Sequence, residues 1–265
     1  MDTRFWGPSG WKLLHLITFS KELPNPVALH EFFTLLPYVL PCKFCRASLS
    51  DYYAVDPVPH KVPAFKHWLY RIHNRVNGKL RDQHLLKEDD PEWSTIQAQY
   101  KAMIDCSENS FVGWDFLYSV VHTTPGPHTP TAPIPSAPPI DVLTTPELRN
   151  RWNMMSRSER IPLLTRWWTL VPQVLPYKTW RSAWMSAPKQ PALTSPKRTI
   201  TEWLFSVEKH LCKMLNVKTR HSSLSGVCCE LRTFASGCAS KKTRKTKTCR
   251  SKTLKRSKLL NRAAT

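Results

Sequence analysis

The chain has 265 residues, 41% hydrophobic and 22% charged, enough to core one large domain or two small ones and too little charge for a disordered polyelectrolyte. Lys and Arg number 39 against 19 Asp and Glu, a formal +20, beside 11 Trp, 23 Pro and only 7 Gly. Neither G-x-G-x-x-G nor G-x-x-x-x-G-K-[ST] occurs, no apolar run approaches the ~18–20 residues of a membrane span, and Met1–Trp6 lacks a signal-peptide core, so Gly-rich nucleotide folds, membrane insertion and Sec-type export are not expected.

The first hundred residues read as helices. Trp11, Leu14 and Thr18 recur at three- and four-residue steps beside Leu13 and Ile17, and Pro24 and Pro26 close that segment. A second helix is expected over about Val27–Pro37, carrying Leu29, Phe32, Phe33 and Leu36. Pro41 opens a third, because the first turn of a helix does not need the N–H that proline lacks. A fourth runs from about Pro63 to Leu80, with Leu69, Ile72, Val76 and Leu80 on one core-facing stripe. No segment sustains period-two alternation, which predicts an all-α class. Between Pro125 and Pro146 eight prolines among Thr and Ala mark an extended linker or long surface loop, after which helical patterning resumes.

Two parts of the chain resemble each other. Leu36-Pro37-Tyr38-Val39-Leu40-Pro41-Cys42 aligns with Val171-Pro172-Gln173-Val174-Leu175-Pro176-Tyr177, an offset of 135 residues. At the same offset Arg46 falls on Arg181, Trp68-Leu69-Tyr70 on Trp203-Leu204-Phe205, and Leu80 on Leu215. Upstream, Gly10-Trp11-Lys12-Leu13-Leu14 resembles Gly113-Trp114-Asp115-Phe116-Leu117, so the Pro-rich segment at 125–146 becomes an insertion in the second copy. That copy keeps packing residues and loses chemistry: Cys42 and Cys45 become Tyr177 and Trp180, while His73, Asn74 and Asn77 become Glu208, Lys209 and Cys212. Beyond Glu230 no acidic residue occurs, and ten Lys and Arg fall within 241–258. Charges this dense repel, which predicts a disordered tail over 241–265, serving solubility or salt-dependent contact with nucleic-acid phosphates.

Pro41-Cys42-Lys43-Phe44-Cys45-Arg46 is the leading motif. Cysteines three apart at a helix start share one face, and the helix N-terminus, Lys43 and Arg46 all favour thiolate, which suits disulfide exchange. Half of a zinc site or a structural pair are the alternatives, and no second Cys-x-x-Cys supplies the remaining zinc ligands. In His73-Asn74-Arg75-Val76-Asn77, His73 and Asn77 share a helix face, and two asparagines within one turn are costly unless they bind something. Trp11 and His15 stand one turn apart in the first helix.

Taken together, Trp-x-x-x-His, Cys-x-x-Cys and His-Asn-x-Val-Asn-x-Lys-Leu, in this order over about residues 4–81, resemble the Erv/ALR family of FAD-dependent sulfhydryl oxidases, and the wording looks most like versions from large DNA viruses. The resemblance implies a four-helix bundle plus a short fifth helix over 1–105. FAD would be held by Gly7, Trp11, His15, His73, Asn74, Val76, Asn77, Lys79 and Leu80. Cys42 would face protein dithiol substrates and Cys45 the flavin, with O2 as final acceptor and hydrogen peroxide as product. It also implies that 107–240 is a degenerate, FAD-free bundle standing in for a dimer partner, within the chain or beside a homodimer. The family also uses a shuttle cysteine pair outside the core, for which Cys228, Cys229, Cys238 and Cys249 are the candidates, with structural or free thiols as the equal alternative. The host cytoplasm, at sites of viral assembly, or the virion is the compartment implied. Lys21-Glu22 stand where the family carries Tyr-Pro, and Cys106 is the one candidate for its structural disulfide beyond the Asn-rich helix. The rival reading is a non-catalytic helical binding module with a zinc-linked or structural cysteine pair and a nucleic-acid-binding tail.

Overall fold

The structure, a computed structural model, describes residues 1–22, 25–129 and 132–235. Pro24, Pro130, Cys238, Cys249 and the basic tail lie outside the described residues. Eleven α-helices and no strand are found among those described, so the protein is all-α.

Local chemistry explains where the first helices begin. The Asp2 carboxylate accepts from the Arg4 N–H at 3.0 Å and starts α1, Thr3–Thr18. The Asn25 side chain accepts from the Val27 and Ala28 N–H groups at the start of α2, Pro26–Val39. Pro26 therefore opens the second helix rather than closing the first, because its missing N–H is one the first turn leaves unused. After Pro41 the chain turns into α3, Lys43–Val55, with Cys42 as its N-cap. A 3-10 turn at Val62–Ala64 leads into α4, Phe65–Asp82, and α5 follows at Trp93–Cys106. Leu69 and Ile72 are buried, but Val76 and Leu80 are only half-buried: α4 outruns the core, and its last turns face outward.

The second half repeats the order with one addition. Gly113 precedes α6, Trp114–Thr123; the described part of the Pro-rich stretch is irregular apart from a 3-10 turn at Ile140–Val142; and the short α7, Pro146–Arg151, has no counterpart among the described residues of the first half. Ser156 and Glu159 form a capping box for α8, Arg157–Val174. Then come α9, Lys178–Met185, α10, Lys197–Met214, and α11, Leu224–Phe234. At the offset of 135, Cys42 and Tyr177 are both N-caps in extended backbone, and the Arg46 and Arg181 guanidiniums donate to the Leu40 and Leu175 carbonyls at 2.9 and 2.7 Å.

The halves meet along α2 with α8 and α1 with α6. There the Phe32 and Trp167 rings stack at 5.1 Å, and Arg166 Nε donates to Glu31 at 2.6 Å, each pair joining positions 135 apart. The α1–α6 crossing is likewise reciprocal. A Cβ on Gly10 would lie 3.2 Å from Phe116, and one on Gly113 would lie 2.6 Å from Leu13. Gly113 also has φ +108°, which a residue with a Cβ rarely adopts. Phe32, Phe33, Phe65, Phe116, Trp68 and Trp167 form one continuous core through both halves.

Candidate active site

The dithiol sits where α3 begins. Both thiols are free and partly buried, while Phe44 between them is 49% exposed. As N-cap, Cys42 faces the N–H groups of Cys45 and Phe44, which favour an anion without closing a cap hydrogen bond. The hydrogen bond from the Cys45 thiol is the largest influence, and with those N–H groups and the Arg46 charge it holds Cys42 down to about 6 against the opposing effect of burial. Cys45, the donor in that bond, is buried beside a thiolate and pushed well up, with Lys79 and Arg46 opposing. The two thiols are thus pushed in opposite directions, Cys42 towards thiolate and Cys45 towards the protonated form.

Lys79 ties this dithiol to α4, where its ammonium donates to the Ser48 hydroxyl of α3. Two residues back, Asn77 Nδ2 donates to Asp90 Oδ1 at 2.8 Å, and Arg81 grips the same carboxylate at 2.6 and 3.0 Å. These bonds, Arg81 first, hold the Asp90 carboxyl below the usual carboxylate range. His73 lies flat against Trp11, with centroids 3.9 Å apart and planes 11° apart. Its Nδ1 meets His15 Nε2 at 3.2 Å, and His15 in turn stacks on Tyr100 at 4.6 Å. Burial, then the neighbouring imidazole, pushes His15 down to about 3; burial pushes His73 down to about 4 although Asp90 opposes it. Both rings are neutral at pH 7, so one donates and the other accepts between them.

Of the residues singled out from sequence, Trp11, His15 and His73 touch one another as an aromatic strip, Asn77 is held by Asp90 on the same helix as His73, and the Lys79 charge acts on Cys45. Asn74, Val76 and Leu80 are half-buried on the same helix, and Gly7 faces open space, with nothing within 4 Å of where a Cβ would stand. Of the shuttle candidates described, Cys228 is partly buried and Cys229 exposed on α11, and Cys106 is an exposed free thiol. Asp90 and Tyr100 join the strip although no motif marked them, since the loop after α4 and the helix after it bring them in. A cavity of about 480 Å3, lined by Lys12, Phe111, Trp114, Cys212 and Arg220 among others, touches neither Cys42 nor Cys45. Among the described residues no group of three or more His, Cys, Asp or Glu is gathered to hold a metal ion, and no helix is long and apolar enough to cross a membrane.

The strip fits a flat, polar, aromatic cofactor. The buried His15 Nδ1 makes no hydrogen bond, and the Trp11–His73 stack offers a π-face. In the second half the corresponding place is filled. Trp180, at the position of Cys45, is fully buried 4.6 Å from Phe111 and donates to the Glu108 carbonyl at 2.5 Å. The His15–His73 pair is replaced by Tyr118, which donates to the buried Glu208 at 2.5 Å. No curated protein and no solved structure matches the chain. The stretch that carries the dithiol and the aromatic strip is similar to the Erv1 / Alr family, whose model matches residues 8–101.

Proposed function

We propose that this protein is an FAD-linked thiol oxidase that forms disulfides in protein substrates. The observation that carries the reading is the junction at α3: a thiol primed as thiolate, Cys42, and a second thiol, Cys45, within reach of the Lys79 charge on the helix that bears His73 and Asn77. In the oxidised enzyme a substrate thiolate attacks Cys42 Sγ, the Cys42–Cys45 bond breaks, and Cys45 leaves as thiolate. A second substrate thiolate then attacks the substrate sulfur of the mixed disulfide and displaces the Cys42 thiolate. The substrate leaves as a disulfide, two protons are released, and two electrons remain on the dithiol. FAD, when bound, supplies the acceptor for that electron pair and the route onward to O2, with hydrogen peroxide as product. Trp11, His15, His73, Asn74, Asn77 and Lys79 are the residues that would hold it, with Gly7, Val76 and Leu80 bordering, and neutral His15 and His73 add no charge to the site.

We read 107–240 as a degenerate copy standing in for a second subunit. The reciprocal packing of Gly10 on Phe116 and Gly113 on Leu13, and of Phe32 on Trp167, supports this, since equivalent residues meet across a two-fold interface. The test of the oxidase reading is direct. Purified full-length protein should be yellow, absorbing near 450 nm, and should consume O2 with dithiothreitol; Cys45→Ser should keep the colour and lose at least ~100-fold in turnover, as expected for loss of a covalent-exchange partner. A folded, colourless protein that takes up no added FAD and no O2 would leave the helical binding module as the answer.

A further inference from the structure

Arg46 and Arg181 occupy equivalent places, and their surroundings differ by one charge. Each donates through Nη1 to the carbonyl at its own helix turn and through Nη2 to an oxygen from the other half of the chain, at 2.5 Å in both cases. For Arg181 that oxygen belongs to the Glu22 carboxylate, whereas for Arg46 it is the amide oxygen of Asn153. The silent copy neutralises its arginine, and the cysteine copy leaves its own charged.

The environment of Arg46 accentuates this. It is only 5% exposed, its Nε makes no hydrogen bond, and no carboxylate pairs with it among the described residues. Arg160 of α8 approaches from the second half, donating to the Tyr38 carbonyl at 3.1 Å. Burial, then the charge of Arg46, pushes Arg160 down to about 9, which leaves it charged at neutral pH. The other groups near the dithiol do not cancel this field. Lys79 faces it from α4, Lys43 is turned to the Ala132 and Pro133 carbonyls, and Tyr52 on α3 is raised, chiefly by burial. Asp51, the acid on α3, is paired with Arg151 at 2.7 Å. A buried, uncompensated cation is costly unless an anion forms beside it: Arg46 stands one turn after Cys42, its N–H bonded to the Cys42 carbonyl at 3.0 Å, and while burial pushes its guanidinium down, Cys42 and Cys45 are the groups that oppose this.

We propose that the second half of the chain sets the charge of the dithiol site: by offering Arg46 the neutral amide of Asn153 in place of a carboxylate, it leaves a buried guanidinium free to stabilise the Cys42 thiolate. The proposal rests on the thiol-oxidase reading for its purpose, since a stabilised thiolate is the better leaving group when the substrate disulfide is released. Asn153 then acts through the neutrality of its amide, contributed by the part of the molecule that lacks the Cys-x-x-Cys. It stands just after α7 at φ +58°, a left-handed position suited to Asn or Asp, and its amide N–H also donates to the Ala132 carbonyl at 2.7 Å.

The test compares Asn153→Asp with Asn153→Ala in the full chain. Both remove the bond to Ala132, and only the first adds a charge. In a Cys45→Ser background, the pH dependence of iodoacetamide alkylation, read by mass spectrometry on the Cys42 peptide, gives the thiol pKa without any need for flavin. Asn153→Asp should raise the midpoint by about one unit and slow alkylation roughly three- to tenfold at pH 6.5. Asn153→Ala and Glu22→Gln should leave the midpoint where it is. If the Asp and Ala variants shift together, or neither shifts, the proposal is overturned. Should Asn153→Asp not fold, Arg46→Gln must raise the midpoint similarly, and an unchanged midpoint there overturns it too. The outcome is separable from the oxidase reading: absence of flavin and O2 uptake sinks that reading alone, while an unmoved thiol pKa in a yellow, active enzyme sinks this proposal alone.

Discussion

Two imidazoles, His15 and His73, are buried against Trp11 and Tyr100, and the Asp90 carboxylate does not offset the effect of burial on His73. An unfolded histidine titrates near 6.5, while these titrate near 3 and 4 in the fold. Below pH 6.5 the unfolded chain therefore binds more protons than the folded one. Stability is full above that pH and declines as pH falls through 6.5 towards 4. The melting temperature, followed by circular dichroism, should fall between pH 6.5 and 5, a window in which ordinary carboxylates do not titrate. His15→Gln should flatten that slope, and a wild-type melting temperature constant across the window would refute the account. Gly113 supplies a second prediction at this scale. Gly113→Ala meets both a φ of +108° and the Leu13 side chain, and should cost about 1–3 kcal/mol in urea unfolding, whereas Gly7→Ala, inside α1 and facing open space, should be neutral or stabilise by up to about 1 kcal/mol.

Among elements, α2 and α8 decide the architecture, because they carry the joint core between the halves. Trp167 is fully buried between Phe32 and Phe116, so Trp167→Ala should cost about 3–5 kcal/mol through lost burial and the cavity left behind. The Glu31–Arg166 pair lies on the exposed edge of the same seam, and Glu31→Ala should cost under about 1 kcal/mol. A double-mutant cycle by equilibrium unfolding measures both; a Glu31 effect as large as that of Trp167 would mean that charge rather than packing holds the halves together. Helix α4 obeys a different logic. Its first half is bound to the core by Phe65, Trp68, Leu69 and Ile72, and its second half presents Asn77, Lys79 and Arg81 to partners outside the core. The periodicity of Leu69, Ile72, Val76 and Leu80 was legible in the sequence, but where that stripe leaves the core depends on how far the neighbouring helices extend.

For the molecule as a whole, the seam between halves predicts the solution state. With α1 and α2 packed against α6 and α8, the apolar faces along that seam are buried within the chain. Full-length protein should sediment as a monomer at micromolar concentration in analytical ultracentrifugation, and a stable dimer would show that a further surface mediates association.

The helical class, the cysteine spacing and the aligned stretches 135 residues apart were all readable from the order of residues, because helix periodicity, N-terminal proline and Cys-x-x-Cys act within a few positions of the chain. Tertiary structure alone decided the rest. It brought Asp90 under Asn77 and Tyr100 onto His15, buried both histidines into their neutral forms, and set an amide rather than a carboxylate against Arg46. Such features depend on desolvation and on groups that meet only after the chain has closed on itself. Arg46 and Asn153 stand 107 positions apart, and their contact exists only because the second half packs on the first.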